Sequence, residues 1–102
     1  MFDIKNLNRI GRLGEHAPAA MNGFRAFDQA VFAPGALSVR EKQLMAVAVA
    51  LTTQCPYCIE LHKQAAIKAG ADEAQLAEAA LVAAVIRAGG ALTHATHLFD
   101  DR

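Results

Sequence analysis

The chain has no tryptophan, one tyrosine, three prolines and two cysteines among 102 residues, and its ten basic side chains are cancelled by ten acidic ones. Each shortage excludes something. A formal net charge of zero lacks the basic excess that marks a nucleic-acid binder, so no nucleic acid is expected as a partner. So little proline in so apolar a chain excludes disorder. Six valines and five isoleucines against 23 alanines are too few β-branched residues for a sandwich or barrel. Long hydrophobic runs are missing as well. The uncharged stretch from Leu44 to Ile59 is strictly apolar only as far as Leu51. That is short of the roughly 20 residues that span a bilayer, so it reads as a buried helix and no membrane partner is expected. The opening MFDIKNLNRIGRLG has no apolar core of the kind a secretory signal needs, which points to a cytoplasmic protein.

What is present is alanine and an apolar surplus. The hydrophobic fraction is 54%, above the roughly 45–50% usual in soluble domains. Alanine has the highest helix propensity, and no segment alternates with period two, so the expected fold is all-α, a single domain over residues 1–102 with about five to six helices. Residues 1–15 read as an irregular or short helical lead-in broken by Gly11 and Gly14. Met21, Phe24, Phe27, Ala30 and Val31 recur at threes and fours within a helix from about Ala17 to Phe32, which Ala33-Pro34-Gly35 stops. Ser38 and Glu41 match a capping box for a helix to about Thr53. Its residues 44–51 are apolar all round, as in a central helix touched on every side. Cys55-Pro56 restarts the pattern, with proline at a first helical position and Gly70 as the stop. Asp72 and Gln75 open a further helix, with Gly89-Gly90 read as a kink or close crossing before a last stretch through Phe99. Faces at 44–51 and 79–98 are too apolar for so short a chain to cover alone, and subunit interfaces are expected to bury them.

The chemistry is concentrated in Cys55-Pro56-Tyr57-Cys58-Ile59-Glu60-Leu61-His62. A cysteine at a helix start meets free N–H groups and the positive end of the helix dipole, both of which favour a thiolate. Cys55 and Cys58 are close enough for a disulfide within one turn. Cys58 and His62, four residues apart, share a helix face, where an imidazole can take or return a thiol proton. Rival readings are an inert buried pair and a zinc site completed by His94 or His97, although those two histidines stand two residues apart rather than the three to five of a zinc finger, and a surface or interface role suits them better. Haem attachment fails because Ile59 follows the second cysteine. A thioredoxin-type fold fails because helix, not strand, precedes the motif.

REKQLMAVAVALTTQCPYCIELH at 40–62, continued by AAIKAGADEAQLAEAALVAAVIRAGGALTHATH, resembles the alkylhydroperoxidase AhpD-like branch of the carboxymuconolactone decarboxylase family. Among its members the chain is most similar to short single-domain arsenosugar biosynthesis-associated peroxidase-like proteins. The resemblance implies a helical fold assembling as a homotrimer or homohexamer, and a thiol peroxidase cycle with no metal or other cofactor. It assigns attack on a hydroperoxide to Cys58, resolution to Cys55 and proton relay to His62, with a thiol or lipoyl-type donor as reductant. Two positions depart. The family glutamate twelve residues before the first cysteine is Gln43 here, which can orient an imidazole but not accept its proton. A histidine between the cysteines is replaced by Tyr57, which would line the peroxide pocket or pack. Glu60, like Glu41, is a candidate substitute acceptor, as well as an ordinary exposed helical charge. One continuous helix would hold Gln43 about 18 Å from Cys55, so contact requires a fold-back at Thr52–Gln54. The same fold also carries non-redox decarboxylase chemistry on small carboxylated substrates, for which two thiols are not needed.

Overall fold

The computed structural model describes residues 2–101. A 3-10 helix at Ile4–Arg9 leads into α1 (Gly11–His16), α2 (Pro18–Phe32), α3 (Val39–Thr53), α4 (Pro56–Lys68) and α5 (Glu73–His94). A last 3-10 turn covers Ala95–Leu98. The all-α expectation holds: there is no strand among the described residues.

Local chemistry sets most boundaries. Pro18 takes the first position of α2, where a missing N–H costs nothing. Beyond its C-terminus, Lys42 Nζ donates to the carbonyls of Val31 and Ala33 at 2.8 and 2.6 Å, satisfying acceptors that the helix end leaves open. Ser38 Oγ accepts the Glu41 N–H at 3.1 Å while Glu41 returns a carboxylate oxygen to the Ser38 N–H at 2.9 Å. Asp72 and Gln75 repeat the arrangement at the start of α5. Gly70, at φ +100°, occupies the left-handed position after α4, and the Ala71 N–H closes onto the Ala66 carbonyl at 2.9 Å.

Helices α3, α4 and α5 pack together, and the core between them is made of small side chains: Val47, Ala50, Ala66, Ala71 and Ala83, with Ala66 fully enclosed. Alanine-lined contacts let helices approach closely, but they bury little area each. No large side chain is fully buried among the described residues. Expectation and structure part at two places. Helix α3 is not covered on every side, because Met45 and Val49 remain more than half exposed. At Gly89-Gly90 α5 runs on without interruption to His94, and a Cβ at either glycine would meet nothing within 4 Å. A kink or close crossing within the chain is therefore not their role.

The shape follows from the thin core. The radius of gyration is 17.5 Å and the longest dimension 59 Å, against about 13 Å for a compact chain of this length. The accessible surface is 7911 Å², whereas a compact protein of this mass exposes roughly 5,500 Å². Much of the excess is apolar. It includes Leu81, Val82, Val85, Ile86 and Leu92 along α5 and Phe24 and Phe27 on α2. By length and composition alone, the helical stretch Glu73–Leu98 is also apolar enough to cross a membrane.

Candidate functional site

The site is made by a reversal. α3 ends at Thr53 and Gln54 adopts the left-handed conformation, φ 56° and ψ 41°. The Cys55 N–H then bonds back to the Ala50 carbonyl at 3.1 Å. Arg87 on α5 donates to the Thr52 carbonyl, tying the turn to the third helix of the core. α4 therefore starts beside the end of α3 and runs back along it, which brings Gln43 against His62.

Cys55 is the N-cap of α4 in extended conformation, with Pro56 next, and its Sγ accepts the Cys58 N–H at 3.3 Å. Both cysteines are free thiols and neither is fully buried. Their protonation is unequal. A hydrogen bond from the Cys58 side chain, followed by the Cys58 N–H, holds the Cys55 thiol below its ordinary range. The same side-chain bond, followed by burial, pushes Cys58 up. Of the two thiols, Cys55 at the helix end is therefore the one that gives up its proton first.

His62 lies one turn beyond Cys58. Its Nδ1 stands 2.7 Å from Gln43 Oε1. An amide oxygen only accepts, so Nδ1 carries a hydrogen, and in the neutral ring Nε2 is the nitrogen with the lone pair. Gln43 is the one buried polar side chain among the described residues, 8% exposed. On one face of the imidazole the Phe32 ring stacks, centroids 5.3 Å apart and 23° between planes.

Cys58 and His62 together reach two cavities. One, of about 510 Å³, lies between the end of α2 and α3 and is walled mainly by Val31, Phe32, Leu37, Met45 and Val49. The other, of about 570 Å³, has Leu7, Ile10, Phe24 and Leu61 as apolar wall and Asn6, Asp28 and Tyr57 as polar rim. Cys55 lines neither.

Five of the six residues expected at the site are thus gathered: Cys55, Cys58, His62, Gln43 and Tyr57. Glu60 is not. It accepts a hydrogen bond from Gln64 one turn on, at 3.2 Å, an ordinary pair along the helix surface. Glu41 is engaged in the cap of α3. His94, the last residue of α5, and His97 in the 3-10 turn that follows stack on each other, centroids 5.7 Å apart. Among the described residues no three His, Cys, Asp or Glu side chains are grouped to hold a metal ion.

Sequence reasoning missed Phe32, which it used only as the end of the helix from about Ala17. It missed the partners of Tyr57 too. The Tyr57 hydroxyl accepts from Asn6 Nδ2 at 2.8 Å, and the Asp3 N–H points to it at 3.5 Å. The Phe2 ring meets the Tyr57 ring edge-on at 4.8 Å. Nothing in the lead-in sequence signals those contacts.

Known proteins share this construction. Residues 18–101 match the carboxymuconolactone decarboxylase family. "Uncharacterized protein 4 in cox locus" of Paracoccus denitrificans is 48% identical over 98 residues, 93% of this chain and 88% of its own. An uncharacterized protein of Cupriavidus necator is 36% identical over 88 residues, covering 85% and 76%. Among solved structures, a protein from Methanobacterium thermoautotrophicum superposes with a TM-score of 0.80 at 42% identity, over 84% of this chain and 97% of that one. A carboxymuconolactone decarboxylase family protein from Legionella pneumophila gives 0.77 at 32% identity, over 88% and 80%. With the fold and the matched stretch in agreement, the chain belongs to the carboxymuconolactone decarboxylase family.

Proposed function

We propose that this protein is a thiol peroxidase acting through the Cys55–Cys58 pair. The observation that carries the reading is the shared wall. Cys58 and His62 open together onto apolar cavities, while Cys55 stays outside them with its sulfur on the Cys58 N–H.

In the first step the Cys58 thiolate attacks the distal oxygen of a hydroperoxide. The O–O bond breaks, the alcohol leaves with a proton, and Cys58 becomes a sulfenic acid. The hydrogen bond with Cys55, followed by burial, holds the Cys58 thiol above its ordinary range, so a base is needed to take its proton, and His62 Nε2 is the ring nitrogen turned away from Gln43. Gln43 keeps the ring turned and its Nδ1 hydrogen-bonded. The Cys55 thiolate then attacks the Cys58 sulfur, water leaves, and the disulfide closes. An external dithiol of thiol or lipoyl type returns both cysteines to the reduced state and is itself oxidised.

Of the two thiols Cys55 is the one held low, first by the hydrogen bond from Cys58, and this suits a resolving thiol, which must be nucleophilic as soon as the sulfenic acid forms. The apolar walls favour an organic hydroperoxide. The exposed faces of α2 and α5, on a chain with roughly 2,400 Å² more surface than a compact one of its mass, support a homotrimer or homohexamer. Obligate interfaces bury amounts of that order, and a protein of this kind is proposed to be cytoplasmic.

The test is turnover: purified protein with ethyl hydroperoxide and dihydrolipoamide consumes peroxide, and Cys58→Ser does not. Consumption unchanged in Cys58→Ser overturns the reading. A second reading, non-redox decarboxylation of a small carboxylated substrate, draws on the family match. The cation on the first cavity's wall is Lys42, whose Nζ is already committed to the Val31 and Ala33 carbonyls. That disfavours it as a carboxylate anchor.

A further inference from the structure

The second cavity beside Cys58 has an unusual wall. Leu61 and Tyr57 belong to α4 and Phe24 and Asp28 to α2, but Asn6, Leu7 and Ile10 come from the lead-in before α2. That lead-in has no buried residue. Phe2, Ile4 and Ile10 are 53%, 39% and 41% exposed, and the 3-10 helix that runs through it has weaker hydrogen bonds than an α-helix. A segment with so little buried surface opens locally at small cost unless something fastens it.

Tyr57 is one such fastening. The side chain between the two cysteines receives Asn6 Nδ2 at 2.8 Å and faces the Asp3 N–H at 3.5 Å on its hydroxyl. The Phe2 ring meets its edge. One of the two residues that separate Cys55 from Cys58 in sequence thereby holds the strap that walls Cys58 in space.

We propose that Tyr57 is a specificity-determining residue: by clasping residues 2–10 over the second cavity, it sets how bulky a reagent can reach Cys58 from that side. The proposal rests on the reading of Cys58 as the reacting thiol, but the contacts that carry it are independent of peroxide chemistry. Its consequence for substrates is a preference for small or slender hydroperoxides that the strap tolerates, over branched or aromatic ones that require it to lift.

Alkylation in the Cys55→Ser background, where Cys58 is the sole cysteine, tests this without any turnover. The readout is the ratio of Cys58 modification rates by fluorescein maleimide and N-ethylmaleimide, which share a reactive group and differ in size. Tyr57→Phe keeps the ring and its packing on Phe2 but removes the acceptor for Asn6. Asn6→Ala removes the donor. Each is expected to raise the ratio about fivefold, the worth of one neutral hydrogen bond. Asn8→Ala, an exposed position on the same strap, is expected to leave it unchanged. Ratios in Tyr57→Phe and Asn6→Ala equal to the parent's overturn the clasp. A raised ratio in a protein that consumes no hydroperoxide keeps the clasp and defeats the peroxidase reading instead, so the two failures are distinguishable.

Discussion

In the α3–α4 hairpin, both helix starts are capped by side chains, and the reversal is tied by Cys55 to Ala50 and by Arg87 to Thr52. Val47, Ala50 and Ala66 are buried, and so is Gln43. In the N-terminal arm, residues 2–32, no residue is buried, and the links to the hairpin include Tyr57 with the lead-in, Phe32 on His62, and Lys42 on the end of α2. The hairpin can set the positions of Cys55, Cys58, His62 and Gln43 from its own hydrogen bonds. The arm shapes the space around them. On the proposed function, the hairpin holds the chemistry, and selectivity falls to the arm and to Tyr57 where the hairpin clasps it, so substitutions in the two parts should fail in different ways.

The largest effects should come from the hairpin. In Cys55→Ser the sulfenic acid on Cys58 has no resolving partner, so dimedone should label Cys58 after one equivalent of peroxide and turnover should stop; labelling absent from that position would contradict the assignment of attack. His62→Ala should lower the rate of peroxide reaction by about 10²–10⁴-fold, the usual worth of a positioned base, with little change in thermal stability. Gln43→Ala removes one hydrogen bond to the ring and should cost roughly tenfold in turnover, whereas Gln43→Glu, which retains an acceptor oxygen at the same place, should keep wild-type turnover or better it.

Substitutions in the arm should be milder and should separate substrates. Phe32→Ala takes away a stacked ring, an interaction of about 0.5–1.5 kcal/mol, and should lower turnover severalfold while the intact hairpin still forms its disulfide. A loss as deep as that of His62→Ala would mean the arm helps to build the chemistry as well.

Titration probes the coupling inside the hairpin. The Cys55 thiol is held low first by the hydrogen bond from Cys58, so in Cys58→Ala its alkylation midpoint should move up toward the ordinary thiol value. Cys58 is held high first by Cys55, so in Cys55→Ser its midpoint should move down. Shifts in the same direction would break the picture of two thiols that push each other apart. The smallest effect concerns the cap of α3. Ser38→Ala should cost about 1 kcal/mol in unfolding free energy. The carboxyl of Glu41 is held below its usual range by the Ser38 N–H, so its stabilisation is complete above the ordinary carboxylate pKa. It fades as pH falls through the lower, folded value, and Glu41→Gln should flatten that acid dependence in a thermal melt.

The same division explains what was legible in the sequence. Caps, helix limits and the place of Cys55 were readable because they depend on residues within four positions of one another: Ser38 with Glu41, Asp72 with Gln75, Cys55 with Pro56. The Gln43–His62 contact spans nineteen positions. It was anticipated through family likeness and the turn at Thr52–Gln54, where Gln54 carried no glycine to signal a left-handed residue. The Asn6–Tyr57 and Phe32–His62 contacts join the arm to the hairpin, and no local periodicity encodes them. The burial expected around α3 was not found because hydrophobicity says that a face will be covered without saying by what. The uninterrupted α5 shows the same limit, since two adjacent glycines permit a close approach but do not supply the partner.

The most direct test of the central claim is the intact mass and cysteine map of reduced protein after one equivalent of hydroperoxide. The account predicts loss of two hydrogens and a single Cys55–Cys58 disulfide that dihydrolipoamide reverses. Two thiols still open to alkylation after peroxide is exposed to the protein would contradict it.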